Sequence, residues 1–279
     1  MKRIGILYHP LIEAAFTWAN KLDEFLSARG VSVWLCSAWE GEKAGAQLDN
    51  TDLILSIGGD GTILRATQVA LLAQVPVTGI NLGKLGFMTE LSTDEVLDRL
   101  PPLLAGKGWI DERVVVEAEL IPPDKEHEIP PMFYALNDVV VARGAIARVV
   151  YVDASIDGEH LTTYKADGVI VATATGSTGY SLAAGGTILH PQAEELMLLP
   201  ITPHLSSTYA VVLPSTTVVK LVVSTTHQAT LSIDGHINLP LSSGAIVTVR
   251  CSSNKARFLR IHPEASFYGS LEQRLKGKQ

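Results

Sequence analysis

Cysteine is scarce in this chain: Cys36 and Cys251 are the only two among 279 residues. Two thiols cannot build a disulfide framework, and neither has a Cys or His partner at zinc-site spacing. No run of about 18 apolar residues occurs, although 47% of the chain is hydrophobic, so no membrane-spanning helix is expected. Lysine and arginine number 22 against 29 aspartates and glutamates, a net charge of −7, and they form no run. An acidic chain without a basic stripe argues against nucleic acid or an anionic membrane as partner. Met1-Lys2-Arg3-Ile4-Gly5 leads straight into a strand-like segment, without the apolar region and cleavage site of a signal peptide. Low-complexity tracts are absent as well. These absences point to a globular, cytoplasmic protein of one large or two ordinary domains.

What is present first is alternation. Lys2 to Tyr8 reads as a short strand, and Leu11, Ala15, Trp18, Leu22 and Phe25 then follow at helical spacing. Gly30 is the expected stop. Val31 to Cys36, Asp52 to Ile57 and Pro76 to Ile80 read as further strands. Asp52 to Ile57 ends in Gly58-Gly59-Asp60-Gly61-Thr62, with a helix expected from Ile63. Pro76 to Ile80 ends in Asn81-Leu82-Gly83-Lys84-Leu85-Gly86-Phe87, and Asp94 to Ala105 reads as a helix interrupted by Pro101-Pro102. This pattern predicts an α/β N-terminal domain with a mostly parallel sheet over 1-105, completed by 262-279. Ligands in such sheets gather beyond the carboxyl ends of the strands, where both glycine-rich segments lie.

From about Trp109 the period falls to two. Val116, Ala118 and Leu120 alternate with Glu117 and Glu119, and Tyr134 to Ala142, Ala147 to Ile156, Val169 to Ala172 and Tyr209 to Leu213 read as strands. So do Val218 to Val223, Ala229 to Ile233, Ala245 to Cys251 and Arg257 to Ile261. Asp157-Gly158 and Asp234-Gly235 suit tight hairpin turns. A C-terminal β-sandwich-like domain over 106-261 is predicted. Thr175 to Ala184 reads as a helical insertion, Pro122 to Pro131 as an exposed loop, and Tyr268 to Lys276 as a closing helix.

A strand ending in Gly-Gly-Asp-Gly-Thr and leading into a helix turns backbone amides and a positive helix end toward one point, which suits phosphate oxygens. A carboxylate there repels phosphate. Asp60 therefore fits as a group that takes a proton from a hydroxyl or helps to hold a phosphate-bound cation. The same residues would also serve as a helix cap. The segment is neither Gly-x-x-x-x-Gly-Lys-Ser/Thr nor Gly-x-Gly-x-x-Gly, so the usual nucleotide motifs do not apply.

Gly58-Gly59-Asp60-Gly61-Thr62 resembles the phosphate loop of NAD kinases, of diacylglycerol and sphingosine kinases and, with a variant ending, of 6-phosphofructokinases. Three more segments narrow the resemblance to the NAD kinase family. Asn81 to Phe87 is similar to its Asn-Leu-Gly-x-Leu-Gly-Phe segment, and Leu136-Asn137-Asp138-Val139 to its Asn-Glu/Asp motif. Asp167-Gly168 with Thr175-Gly176-Ser177-Thr178-Gly179-Tyr180 is similar to its Asp-Gly…Thr-Gly-Ser-Thr-Ala-Tyr motif. Departures include Ala174 for proline, Gly179 for alanine, Ala183 for serine, Thr187 for proline and Lys165 for arginine.

The resemblance implies transfer of the terminal phosphoryl of ATP to the 2′-hydroxyl of the adenosine ribose of NAD, with polyphosphate as the alternative donor. Asp60 would be the base, Gly61 would approach the substrate, and Arg65 would lie near phosphate. Asn137 and Asp138 would bind the ribose and adenine region, and Asp167 the nicotinamide end. Ser177, Thr178, Gly179, Tyr180 and Ala183 would belong to the adenine and ribose pocket. Arg148, Lys165 and His236 would stand near the dinucleotide. Each also has a bland reading: a turn for Asn137, Asp138 and His236, a bulge at Asp167, core for Tyr180, solvated charge for Arg148 and Lys165. No metal site is expected in the chain, so Mg²⁺ or another divalent cation would arrive with ATP, in a crevice between the two domains. A homodimer or homotetramer is implied too. The rival readings are a non-catalytic dinucleotide-binding regulator and a lipid or sugar kinase with the same loop.

Overall fold

The computed structural model describes residues 1–83, 86–123, 129–144, 148–204, 208–264 and 266–276. Lys84, Leu85, Ala147 and residues 124–128 of the expected loop lie outside them. The chain forms two compact units, Met1–Glu112 with Asn254–Gln279, and Arg113–Ser253.

The first unit opens with β1 (Arg3–Tyr8), α1 (Glu13–Ser27), β2 (Ser32–Ser37), α2 (Gly41–Gly45), β3 (Leu53–Ile57) and α3 (Asp60–Ala70). β4 (Val77–Asn81), β5 (Thr89–Ser92), α4 (Val96–Leu104) and β6 (Trp109–Arg113) follow. The second unit holds β7 (Val116–Ile121), β8 (Met132–Ala135), β9 (Asp138–Arg143), β10 (Val150–Ile156), β11 (Glu159–Ala166) and β12 (Gly168–Ala172). A 3-10 turn (Thr175–Thr178), α5 (Tyr180–Ala183), β13 (Leu196–Ile201), β14 (Val211–Leu213), β15 (Val219–Ser224), β16 (Ala229–Ile233), β17 (Ile237–Leu241) and β18 (Ile246–Cys251) complete it. The chain then returns to the first unit with β19 (Ala256–Arg260) and α6 (Ser266–Lys276).

In the first unit the sheet runs β2-β1-β3-β4-β19-β6, with β5 also beside β4. The pairs among β1 to β5, and β19 with β4, are parallel. All five residues of β3 are buried, as expected of a strand covered on both faces. Ala15, Ala19, Leu22 and Leu26 of α1 pack with Val96, Leu100 and Leu103 of α4 against Ile4, Ile6, Leu53 and Leu55. Leu11, expected in the helical stripe, precedes α1 and is 84% exposed. α3 begins at Asp60, not at Ile63, so the glycine-rich loop is shorter than expected and Asp60 belongs to the helix. α4 runs through Pro101-Pro102: two amide donors are lost, but three fully buried side chains hold it to the sheet.

The second unit has two six-stranded antiparallel sheets, β11-β10-β15-β18-β7-β8 and β14-β13-β12-β9-β16-β17. Alternate residues of both, among them Val116, Val139, Val152, Val171, Leu221 and Val247, share one core, as in a sandwich. The second sheet is also apolar outside, where Val140, Ile170, Met197 and Leu199 form a separate cluster. The expected strand from Tyr134 to Ala142 is two strands in different sheets, broken at Leu136-Asn137. The expected helix from Thr175 to Ala184 is broken at Gly179. β19 pairs in parallel with β4, so it belongs to the first sheet and not to the sandwich, as does β6.

A buried ionic network ties β5, β6 and β19 together. Arg260 donates from Nε to Asp111 at 3.2 Å and from Nη1 to Glu90 at 3.3 Å and to the Met88 carbonyl at 2.9 Å. The other Glu90 oxygen accepts the amides of Ile261 and His262, both at 2.7 Å. Removing one member strands the opposite charges in a water-poor site. Arg260→Met is expected to destabilise the protein by about 3–5 kcal/mol, read as a lower urea midpoint with an unchanged slope.

Candidate active site

Chain order and sheet order together locate a crevice in the first unit. From β1 the chain passes to β2 on one side, then to β3 on the other. The strand order therefore reverses between the carboxyl ends of β1 and β3, the place where open α/β sheets take ligands. His9 follows β1 and donates its amide to the Ile57 carbonyl at 3.1 Å; Gly58 and Gly59 follow β3.

Asp60 is the first residue of α3 and is half-buried. Its Oδ2 accepts the Phe87 amide at 3.0 Å and its Oδ1 the Met88 amide at 3.1 Å. A Cβ on Gly86 would stand 2.2 Å from Oδ1, so only glycine lets the carboxylate reach these amides. The second glycine-rich segment is thus the seat of the first one's aspartate. Five residues beyond Asp60, the Arg65 guanidinium lies 4.4 Å from the Trp39 ring centroid. Burial pushes its pKa down, and it has no carboxylate partner among the described residues. The Thr62 hydroxyl, in the first turn of α3, is buried and has no hydrogen-bond partner among the described residues. The N-terminus of a helix suits an anion, and Asp60 at that N-terminus can take a proton.

The second unit builds a different feature. Asp234, at φ +49° in the β16–β17 hairpin, accepts the amides of Leu136, Asn137 and Asp138 at 2.9, 2.7 and 3.2 Å. This carboxylate holds the corner where the chain passes from one sheet to the other. A Cβ on Gly176 would lie 2.1 Å from the Asn137 carbonyl oxygen, so glycine lets the 3-10 turn close onto that corner. Asn137, Asp138, Arg143, Tyr180, Ser232 and Asn238 line the resulting cavity of about 530 Å³, on the face of β9, β16 and β17 turned from the sandwich core. Burial, with the Asp234 charge adding to it, pushes the Asp138 carboxyl up to about 7. Tyr180 is 49% exposed and offers a ring face. Beside it, a Cβ on Gly179 would meet the Gly176 carbonyl oxygen at 3.1 Å, with Asn137 Nδ2 at 3.8 Å and Asp138 Oδ2 at 3.9 Å, so glycine relieves a tight backbone contact next to the Asn137–Asp138 pair.

Other expected site residues are placed differently. Ser177 is fully buried; its hydroxyl donates to the Ala174 carbonyl at 2.6 Å and accepts the Leu189 amide at 3.0 Å. Thr178 is 6% exposed, its hydroxyl 3.4 Å from the Thr175 carbonyl. Asp167 pairs with Arg143 at 3.1 Å. Lys165 lies on the outer face of the other sheet, opposite Tyr151, its Nζ 5.9 Å from that ring. Arg148, Ala183 and Gly61 are exposed. His236 follows the hairpin turn, with Nδ1 3.2 Å from the Asp234 carbonyl oxygen. Sequence reasoning missed Arg143, Ser232 and Asn238 as lining groups. Polar residues at alternate strand positions read as an ordinary solvated face, and only Asp234, already marked by its turn, carried a signal.

Comparisons with known proteins give the family. Residues 4–107 match the ATP-NAD kinase N-terminal domain and residues 136–261 the ATP-NAD kinase C-terminal domain. The chain is 51% identical to an NAD kinase of Dehalococcoides mccartyi over 276 residues, covering 99% of this chain and 96% of the relative. It is 39% identical to the NAD kinase of Chloroflexus aggregans, covering 99% of each. Yeast NADH kinase complexed with NADH superposes with a TM-score of 0.81 at 26% identity, covering 98% of this chain and 87% of that one. An Archaeoglobus fulgidus NAD kinase in complex with ATP gives 0.77 at 26% identity, covering 99% of both.

The raised Asp138 pKa has a consequence for stability. A carboxyl raised from 3.8 to about 7 favours the folded state fully below about pH 4, and that contribution is lost as pH rises through about 7. Asp138→Asn, which cannot ionise, is expected to gain roughly 2–3 kcal/mol on wild type between about pH 5 and about pH 8. Denaturant titrations at the two pH values measure it; an equal difference at both would count against the burial of an ionised Asp138.

Proposed function

The chain belongs to the NAD kinase family, and from that premise we propose which of its residues carry the reaction. It is an NAD kinase: the 2′-hydroxyl of the adenosine ribose of NAD is the acceptor, and NADP is the product. ATP is the donor in our reading. The observation that carries the assignment is Asp60, seated by two backbone amides at the start of α3.

Asp60 orients the hydroxyl and takes its proton as the new oxygen–phosphorus bond forms and the bond to ADP breaks. Arg65 and the first amides of α3 receive the donor phosphates. Most of the rate then comes from placement and from charge compensation around the transferring group. Among the described residues no three His, Cys, Asp or Glu side chains gather in one place. Mg²⁺ or another divalent ion carried in on ATP would neutralise phosphate charge during transfer.

NAD belongs, in this reading, to the cavity of the second unit. Asn137 and Asp138 offer hydrogen bonds to ribose and adenine, and the exposed Tyr180 ring offers a stacking face. Lys165 stands on the opposite sheet from this cavity, which supports a homo-oligomer in which Lys165, with Arg148, serves the dinucleotide of a neighbouring copy. Two free cysteines suit a reducing, cytoplasmic setting, and no helix among the described residues is long and apolar enough to cross a membrane.

Asp60→Asn is expected to lower kcat by about 10²–10⁴-fold while NAD still binds, with NADP followed by an NADP-specific dehydrogenase. Wild-type turnover in this variant would remove Asp60 from the role of base. Tyr180→Ala is expected to raise KM for NAD about tenfold through loss of base stacking, with a smaller effect on kcat. Steady-state kinetics at saturating ATP separate the two parameters.

A further inference from the structure

Asp60 is held by amides whose own carbonyls are held from the other side. The peptide group joining Gly86 to Phe87 donates its N–H to Asp60 Oδ2 at 3.0 Å, and its carbonyl accepts Arg274 Nη1 at 2.6 Å. The next peptide group, joining Phe87 to Met88, repeats the arrangement: its N–H donates to Asp60 Oδ1 at 3.1 Å, and its carbonyl accepts the same Nη1 at 2.9 Å. Two consecutive peptide groups therefore each connect one guanidinium nitrogen to one carboxylate oxygen. Ser270, one turn earlier on α6, accepts the Arg274 Nε at 2.8 Å and fixes the side chain. Arg260 holds the following carbonyl, that of Met88, at 2.9 Å.

We propose that Arg274 is a positioning residue for Asp60, acting through the Gly86–Phe87 and Phe87–Met88 peptide groups. The proposal rests on the reading of Asp60 as the base. A guanidinium on the carbonyl oxygen polarises a peptide group, so that its N–H binds an anion more strongly. With both carboxylate oxygens bound in this way, the Asp60 side chain has one orientation, and the lone pair facing the acceptor hydroxyl is set before substrate arrives. The closing helix α6 thus contributes to catalysis without touching either substrate.

The test compares wild type, Arg274→Ala, Arg274→Lys, Asp60→Asn and the Asp60→Asn/Arg274→Ala double variant in the full-length protein, with kcat, both KM values and thermal melts. Arg274→Ala is expected to lower kcat by about 10–10²-fold with both KM values little changed. Arg274→Lys, which keeps the charge but not the fork, is expected to recover part of that loss. In the Asp60→Asn background Arg274→Ala is expected to cost nothing further, because the group it positions is gone. An unchanged kcat in Arg274→Ala, or an equal loss with and without Asp60, overturns the proposal. Full turnover in Asp60→Asn alone defeats the base assignment instead, and so separates the two failures. Should Arg274→Ala lose its cooperative melt, Arg274→Lys decides: a lowered kcat with intact KM supports the relay, and wild-type kinetics overturn it.

Discussion

A carboxylate seated on backbone amides is the constraint from which much of this protein follows. For Asp60 to meet the amides of Phe87 and Met88, residue 86 must lack a side chain, and the segment after β4 must return across the end of the sheet. That return is held by Arg274 on α6 and by Arg260 on β19. Arg260 is in turn buried between Glu90 and Asp111, whose strands are thereby locked to β19. One carboxylate thus draws on four elements that are far apart in sequence. The last two enter the first unit only after the whole second unit has been made.

The same device shapes the second unit with a different consequence. Asp234 gathers three amides at the Leu136–Asp138 corner, so a tight turn satisfies three buried donors that no strand ladder reaches. Its charge also adds to the burial that raises the Asp138 pKa. The corner, the 3-10 turn closing on it through Gly176, and the polar outer residues of β16 and β17 make a cavity large enough for a substantial part of a dinucleotide. Ser177 lies at the heart of the segment but is spent on the scaffold, binding the Ala174 and Leu189 backbone. A motif residue can therefore serve the site by shaping its wall.

The two units differ in what each architecture supplies. A parallel sheet ending at helix N-termini offers unpaired amides and a positive dipole, which favour phosphate and the charge that builds during its transfer. An antiparallel sandwich offers a broad face of alternating side chains, on which small polar residues can surround a base and its sugars. Arg65 is a half-buried guanidinium that meets the Trp39 indole and, among the described residues, no carboxylate.

Much was legible in the chain itself. The apolar runs before Gly58 and Asn81, the two-residue period after Val116 and the Asp-Gly hairpins fixed the two architectures, because burial on one or both strand faces writes itself into local periodicity. The four motifs in order were enough to identify the family and to single out Asp60. Local pattern could not say that Tyr134 to Ala142 changes sheets at Asn137, nor that Arg257 to Ile261 joins the parallel sheet. Both depend on partners about a hundred or more residues away, Asp234 for the corner and Val77 for β19. Nothing in the local pattern linked Arg274 on the closing helix to Gly86 in the second glycine-rich segment. Sequence alone determined which groups are available for the reaction. Only tertiary structure decided which of them meet, since a hydrogen bond depends on distance in space and leaves no period in the chain.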